Sequence, residues 1–299
     1  MSFKVINPGF SSSIQDYGRI GYKKYGLNQA GPMDEIAYCE ANHLLENNFN
    51  NAVIEIAFGG LEIKVEAETS ISVTGADLDF EVNNKKIPIW KNLQVFKGDV
   101  LKWKKAVKGT YSYLAVKGGF QTGILFGSRS TNIRENIGEN LKKNDILKFK
   151  SSNFPISRSS KNIPNYEKKS LRIMPTCQFQ KFTNSQKKAF FNQGYTISNL
   201  ANRAGCRLTG KPIMLKKSKM ISEGMSCGSV QISNDGYPIV LMKDAPTIGG
   251  YPKIGTVFSL DLSFLSQKKL NEKIYFEPID IEEAQSKRLI FNKHFKIHL

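Results

Sequence analysis

The feature that most constrains this chain is a series of short alternating segments set apart by turn residues. Leu61-Glu62-Ile63-Lys64-Val65-Glu66 alternates strictly, as a strand with one buried face must. Ala52 to Phe58, Ile71-Ser72-Val73, Val100 to Trp103, Tyr111 to Val116 and Ile146 to Phe149 continue the pattern. Asn83-Asn84, Lys97-Gly98-Asp99, Gly118-Gly119 and Asn144-Asp145 stand between them. Many short strands joined by Gly and Asn turns point to a closed or sandwiched β-architecture. One helix interrupts the series. Between Asp34 and Asn47, Ala37, Ala41, Leu44 and Leu45 fall on one helical face, and Asp34 is placed to cap the N-terminus.

The chain has 299 residues, a length that suits two domains of ordinary size. The polar, proline-punctuated stretch 151–170 reads as a linker. It divides a β-rich domain over 1–150 from a second over 171–299. The second half opens with a strand at Leu171 to Met174 and a helix near Ser185 to Gln193. Strands are expected at Gly228 to Ile232, Pro238 to Met242 and Thr256 to Leu260. A short helix is expected to start after Asp280 and run through Ala284 to Lys287. The first residues carry no apolar signal-peptide core, so the cytoplasm is the expected compartment.

Composition excludes several classes. With 43 Lys and Arg against 26 Asp and Glu, the net charge is +17. The excess is scattered in lysine pairs, which reads as a solvated basic surface rather than a nucleic-acid interface. Cys39, Cys177, Cys206 and Cys227 form no CxxC pair and read as reduced, mostly buried thiols. His294 and His298 lie four apart near the end of the chain and read as part of a tail rather than a metal site. Gly205 to Pro212 fits GxxxxGK but has Pro212 where a phosphate-binding loop needs Ser or Thr. Met242-Lys243 is only half of a biotin-carrier tip, and Lys243 reads as a strand-end lysine.

Glycine and polar residues crowd together in a few places, where backbones can approach a ligand. In order they are Pro8-Gly9, Gln15-Asp16-Tyr17-Gly18-Arg19, Gly31-Pro32-Met33-Asp34, Glu55, Gly59-Gly60, Thr74-Gly75-Ala76-Asp77 and Gly127-Ser128-Arg129-Ser130-Thr131. The second half adds Asn202-Arg203-Ala204-Gly205-Cys206-Arg207, Ser222-Glu223-Gly224, Gly228-Ser229-Val230-Gln231, Gly236 to Leu241, Gly249-Gly250-Tyr251-Pro252-Lys253 and Phe276-Glu277-Pro278. This order resembles the biotin-dependent carboxyltransferase family, which includes the C subunit of 5-oxoprolinase, KipA proteins and allophanate hydrolase subunit 2.

The resemblance implies a mainly β fold with a few helices, built as two β-barrel-like, cyclophilin-like domains. It implies partners: a KipI-like sister protein and, in 5-oxoprolinase, a LamB/YcsF-like third protein. It leaves three functions open. One is ATP-dependent opening of the 5-oxoproline lactam to glutamate, with ATP and magnesium held here or by a partner. Another is carboxyl transfer from carboxybiotin to a urea-like or amide nitrogen. The third is a non-catalytic KipA-type regulator. Two departures stand out: Cys227 replaces a usual Pro, and Ala245-Pro246-Thr247-Ile248 replaces a polar Arg-Gln-Thr-Thr-like stretch.

Both chemistries develop charge on oxygen, so a cationic donor is expected. Lys253, leaving the Gly-Gly-Tyr-Pro turn, is the first candidate. Glu223 and Asp244 are candidates for acid, base or positioning roles. Arg203 and Arg207 suit a carboxylate or phosphate, and Tyr251, Gln231, Gly249 and Gly250 complete the substrate-binding set. Asp34, Asp77 and Arg129 are further candidates for a site or an interface with a partner.

Overall fold

The computed structural model describes residues 1–150, 157–161, 163–215 and 221–298. Part of the expected linker, residues 151–156 and 162, lies outside the described residues. The chain divides into two compact units. One comprises Met1–Ile20, Ala30–Asn165 and Phe295–Leu299, and the other Gly21–Gln29 and Tyr166–His294.

The first unit contains β1 (Ser2–Pro8), β2 (Ser11–Gln15), α1 (Glu35–Leu44), β3 (Val53–Ala57), β4 (Leu61–Val65), β5 (Thr69–Asp77), β6 (Phe80–Val82), β7 (Lys85–Lys86), β8 (Lys91–Val95), β9 (Val100–Trp103), β10 (Lys108–Val116) and β11 (Ile146–Lys148). They form a six-stranded sheet, β11-β1-β4-β9-β6-β7, and a five-stranded sheet, β2-β3-β10-β5-β8. The alternation of Leu61, Ile63 and Val65 sends all three into one core with Phe3, Ile54, Val73, Phe80, Trp103 and Phe120. Ring centroids of Phe80 and Trp103 lie 4.7 Å apart.

Gly75 is required by geometry. Its φ is +83°, and a Cβ there would meet the Tyr111 carbonyl at 2.4 Å, where the β5–β10 register shifts. The Asp34 carboxylate caps α1 by accepting from the Ala37 N–H at 3.0 Å.

The second unit contains β12 (Ser170–Pro175), α2 (Asn184–Phe191), β13 (Tyr195–Ile197), β14 (Gly205–Thr209), β15 (Glu223–Gly224), β16 (Ser229–Ile232), β17 (Pro238–Leu241), β18 (Ile248–Gly249), β19 (Lys253–Val257), α3 (Asp261–Ser266), β20 (Lys273–Pro278) and α4 (Ile281–His294). Seven strands close a barrel in the order β12-β19-β16-β17-β14-β13-β20. Its core includes Ile173, Leu208, Val230, Val240 and Phe276, all buried. Phe190 of α2 stacks on Phe276 at 4.7 Å. Thr183 caps α2 in a capping box with Gln186. The fold is thus mainly β with four α-helices among the described residues, as expected.

Several expectations are corrected. The strand placed at Thr256 to Leu260 lies earlier, at Lys253–Val257. The chain turns after Phe258, whose carbonyl accepts from the Asp261 N–H at 2.8 Å, and α3 follows. The last helix continues to His294 instead of ending near Lys287. Only Cys39 and Cys206 of the four cysteines are buried, Cys177 being exposed and Cys227 intermediate. Burial pushes the Cys206 thiol up to about 12, which makes it a poor nucleophile.

Candidate functional site

Lys253, the first candidate, opens β19 and lies beside the two-stranded β15–β18 ladder, in which Glu223 pairs with Gly249. The register between β16 and β19 shifts at this point, from Val230↔Gly255 to Gln231↔Lys253. Such a bulge re-aims the side chain next to it. The Lys253 Nζ lies 2.8 Å from Glu223 Oε1. Its side chain is 15% exposed and that of Glu223 37%. The pair is therefore held against the protein yet open on the carboxylate side.

A residue with no motif around it fixes this pair. Gln178 is buried. Its Oε1 accepts from the Lys253 backbone N–H at 2.8 Å, and its Nε2 donates to Glu223 Oε1 at 2.5 Å. One amide thus positions both the strand that carries the lysine and the carboxylate that faces it. Nothing in the local sequence Cys177-Gln178-Phe179-Gln180 singles it out. Gln178→Leu removes both bonds and leaves the Lys253 N–H without this acceptor. It is expected to destabilise the second unit by about 1–3 kcal/mol and to lower any Lys253-dependent activity further than stability explains. Thermal melts together with turnover per folded molecule check this.

Gln231, also buried, closes the back of the cluster. Its Nε2 donates to the Tyr251 carbonyl at 3.4 Å and approaches Met225 Sδ at 3.6 Å. Tyr251 itself is 37% exposed. The Gly-Gly-Tyr-Pro turn expected at Gly249 and Gly250 is not a left-handed one. Neither has a positive φ, and Gly249 sits in the extended strand β18. Close approach explains Gly249: a Cβ there would meet Gln231 Nε2 at 2.8 Å and Met225 Cγ at 3.1 Å. The variant stretch before it joins this ladder through a 2.8 Å bond from the Met225 N–H to the Thr247 carbonyl.

The remaining candidates are placed elsewhere. Asp244 does not join Lys253. Arg203 grips it with two bonds, Nε to Oδ2 at 2.7 Å and Nη2 to Oδ1 at 3.0 Å. The Asp244 N–H also donates to the Arg203 carbonyl at 2.9 Å. This clamp ties the loop before β14 to the turn after β17. Arg207 pairs with Asp235, Nη2 to Oδ2 at 2.5 Å. Hydrogen bonds from Ser233, foremost, and from Arg207 lower the Asp235 pKa.

In the first unit, Asp34 is fully buried as the α1 cap, and its N–H donates to Tyr113 Oη at 2.7 Å. Tyr113 Oη donates to Glu55 Oε2 at 2.8 Å, which also accepts from the Met33 N–H at 2.7 Å. Burial, with Glu55 close by, raises the Tyr113 pKa well above the usual phenol range. Asp77 Oδ1 accepts from the Asp79 N–H at 2.9 Å and holds a turn. Much of the first half's motif is therefore a buried polar scaffold.

The carboxyltransferase domain family, subdomains A and B, matches residues 25–278. The chain belongs to this family. Among curated relatives it is 34% identical to the C subunit of 5-oxoprolinase from Haemophilus influenzae, over 95% of this chain and 93% of that protein. It is 31% identical to the Escherichia coli protein of the same name, over 98% and 96%. Its structure superposes on K. lactis urea amidolyase with a TM-score of 0.87 and 26% identity, covering 98% of this chain. The chain spans only 20% to 56% of the first solved chains it matches. No helix among the described residues is long and apolar enough to cross a membrane.

Proposed function

We propose that this chain is one component of an ATP-dependent 5-oxoprolinase that opens the 5-oxoproline lactam to glutamate. The observation that carries this reading is the nearly end-to-end match to relatives named as the C subunit of 5-oxoprolinase. The chain acts with a KipI-like and a LamB/YcsF-like partner in the cytoplasm. Lys253 donates to the lactam oxygen as negative charge builds on it. Glu223, 2.8 Å from the ammonium, keeps it aimed. The Arg203–Asp244 clamp holds the loop before β14 against the turn after β17.

ATP and magnesium are assigned to a partner. Gly205–Thr209, the core of the GxxxxGK near miss, is a strand rather than a phosphate loop. Among the described residues no three His, Cys, Asp or Glu side chains converge as metal donors. The GxxxxGK segment therefore offers no phosphate-binding loop, which supports placing the nucleotide on a partner.

A second reading has its own support in the family description and the urea amidolyase superposition. In it, a carrier-bound biotin would supply the carboxyl group to a urea-like nitrogen, and Lys253 would stabilise negative charge on the acceptor's oxygen. Co-expression with the two partners separates the readings. Glutamate release from 5-oxoproline and ATP, without biotin, is expected under the first. Activity only with a biotinylated carrier supports the second and overturns the first.

A further inference from the structure

The first unit holds a cavity of about 370 Å³ whose lining includes none of the residues assigned above to lactam chemistry. Arg19, Thr122, Ser128, Arg129 and Ser130 help line it. Its wall is built around Asp16, which is buried. Asp16 Oδ1 accepts from the Gly18 N–H at 3.0 Å, Ser128 Oγ at 2.5 Å and Ser130 Oγ at 2.7 Å. Asp16 Oδ2 accepts from the Arg129 N–H at 2.6 Å. Four donors saturate this carboxylate and pin the 128–130 loop. Arg19, 1% exposed, donates through Nη2 to the Ser130 carbonyl and is fixed on the same loop.

The Arg129 guanidinium is held differently from its own backbone. Its one hydrogen bond among the described residues runs to Gln121 Oε1 at 3.4 Å, a long contact, and it forms no ion pair there. The acids in the wall are engaged locally: Glu139 pairs with Lys142, and Asp145 Oδ2 accepts from the Lys142 N–H at 2.7 Å. Among the described residues the Thr122 hydroxyl has no hydrogen-bond partner, although it is shielded from solvent.

We propose that this cavity binds a small oxyanion, a carboxylate or a phosphate, on Arg129 with Arg19 beside it and Thr122 as a further donor. A planar guanidinium that lacks a carboxylate partner, carried on a rigid loop, is preorganised for two parallel bonds to such a group. The volume falls at the small end of ligand pockets, so the ligand is a small metabolite.

Titration calorimetry on the full chain tests this with two probes, inorganic phosphate and succinate. Saturable binding of at least one is expected, and which one binds tells phosphate from carboxylate. Arg129→Ala removes the guanidinium but keeps the backbone N–H on Asp16, so the fold and melting temperature should be retained. Affinity should fall roughly tenfold or more, with partial recovery in Arg129→Lys. Lys253→Met should bind as wild type. The proposal is overturned if neither probe binds up to about 10 mM. It is also overturned if Arg129→Ala binds normally while folded, or if Lys253→Met abolishes binding. Failure here leaves the lactam reading standing, because that reading uses none of these residues.

Discussion

Lys253→Met is expected to lower turnover of the assembled complex on the order of 100-fold, the cost of removing one preorganised oxyanion donor. The structure sharpens what accompanies that loss. Lys253 pairs with Glu223, so a purely structural ion pair is the competing account. Glu223 is 37% exposed on its side chain and keeps its bond from Gln178. Water can therefore take the place of the ammonium, and the stability cost should stay within about 1 kcal/mol. A variant that melts close to wild type and is nearly inactive supports a catalytic lysine. One that melts several degrees lower but keeps its turnover per folded molecule makes Lys253 structural. Lys253→Arg should recover only part of the rate, because the planar fork places its charge differently.

Asp261→Ala is expected to be the most damaging single change to the second unit outside its apolar core. Asp261 is fully buried at the start of α3. Its Oδ2 accepts from the Arg172 backbone N–H at 2.8 Å and from Arg172 Nε at 2.9 Å. Its Oδ1 accepts from Arg172 Nη2 at 2.6 Å, and Lys168 Nζ lies 3.4 Å away. The Arg172 guanidinium also stacks over Phe258 at 4.7 Å. Removing the carboxylate strands two cations and an N–H where α3 meets β12. The cost should be about 3 kcal/mol, the low end for a broken buried pair because Arg172 retains some solvent contact. Calorimetry should record a fall in melting temperature of roughly 10 °C. A fall of only a degree or two would show that the barrel closes without this tie.

Local pattern made the strands legible. Leu61, Ile63 and Val65 alternate because one face of β4 meets the core, and Asp34 announces α1 because a carboxylate there meets a free N–H. Lys253 and Glu223 could be singled out as polar residues among glycines. Their partner Gln178 could not, since it lies 75 residues before Lys253 in the chain and only barrel closure brings it there. The Arg172–Asp261 tie spans 89 residues and was hidden for the same reason. The six-residue α3 is too short to show a helical period, so Phe258 and Leu260 read as the end of a strand. The pairing of Asp244 with Arg203 likewise follows from strand register between β14 and β17, which periodicity within either strand does not encode.

The most direct test of the central claim is glutamate release by the purified chain mixed with its KipI-like and LamB/YcsF-like partners, supplied with ATP and 5-oxoproline. The account predicts release that requires all three proteins and ATP, proceeds without biotin, and is lost in Lys253→Met. Release that continues at the same rate when this chain is omitted, or none with all three present, would contradict it.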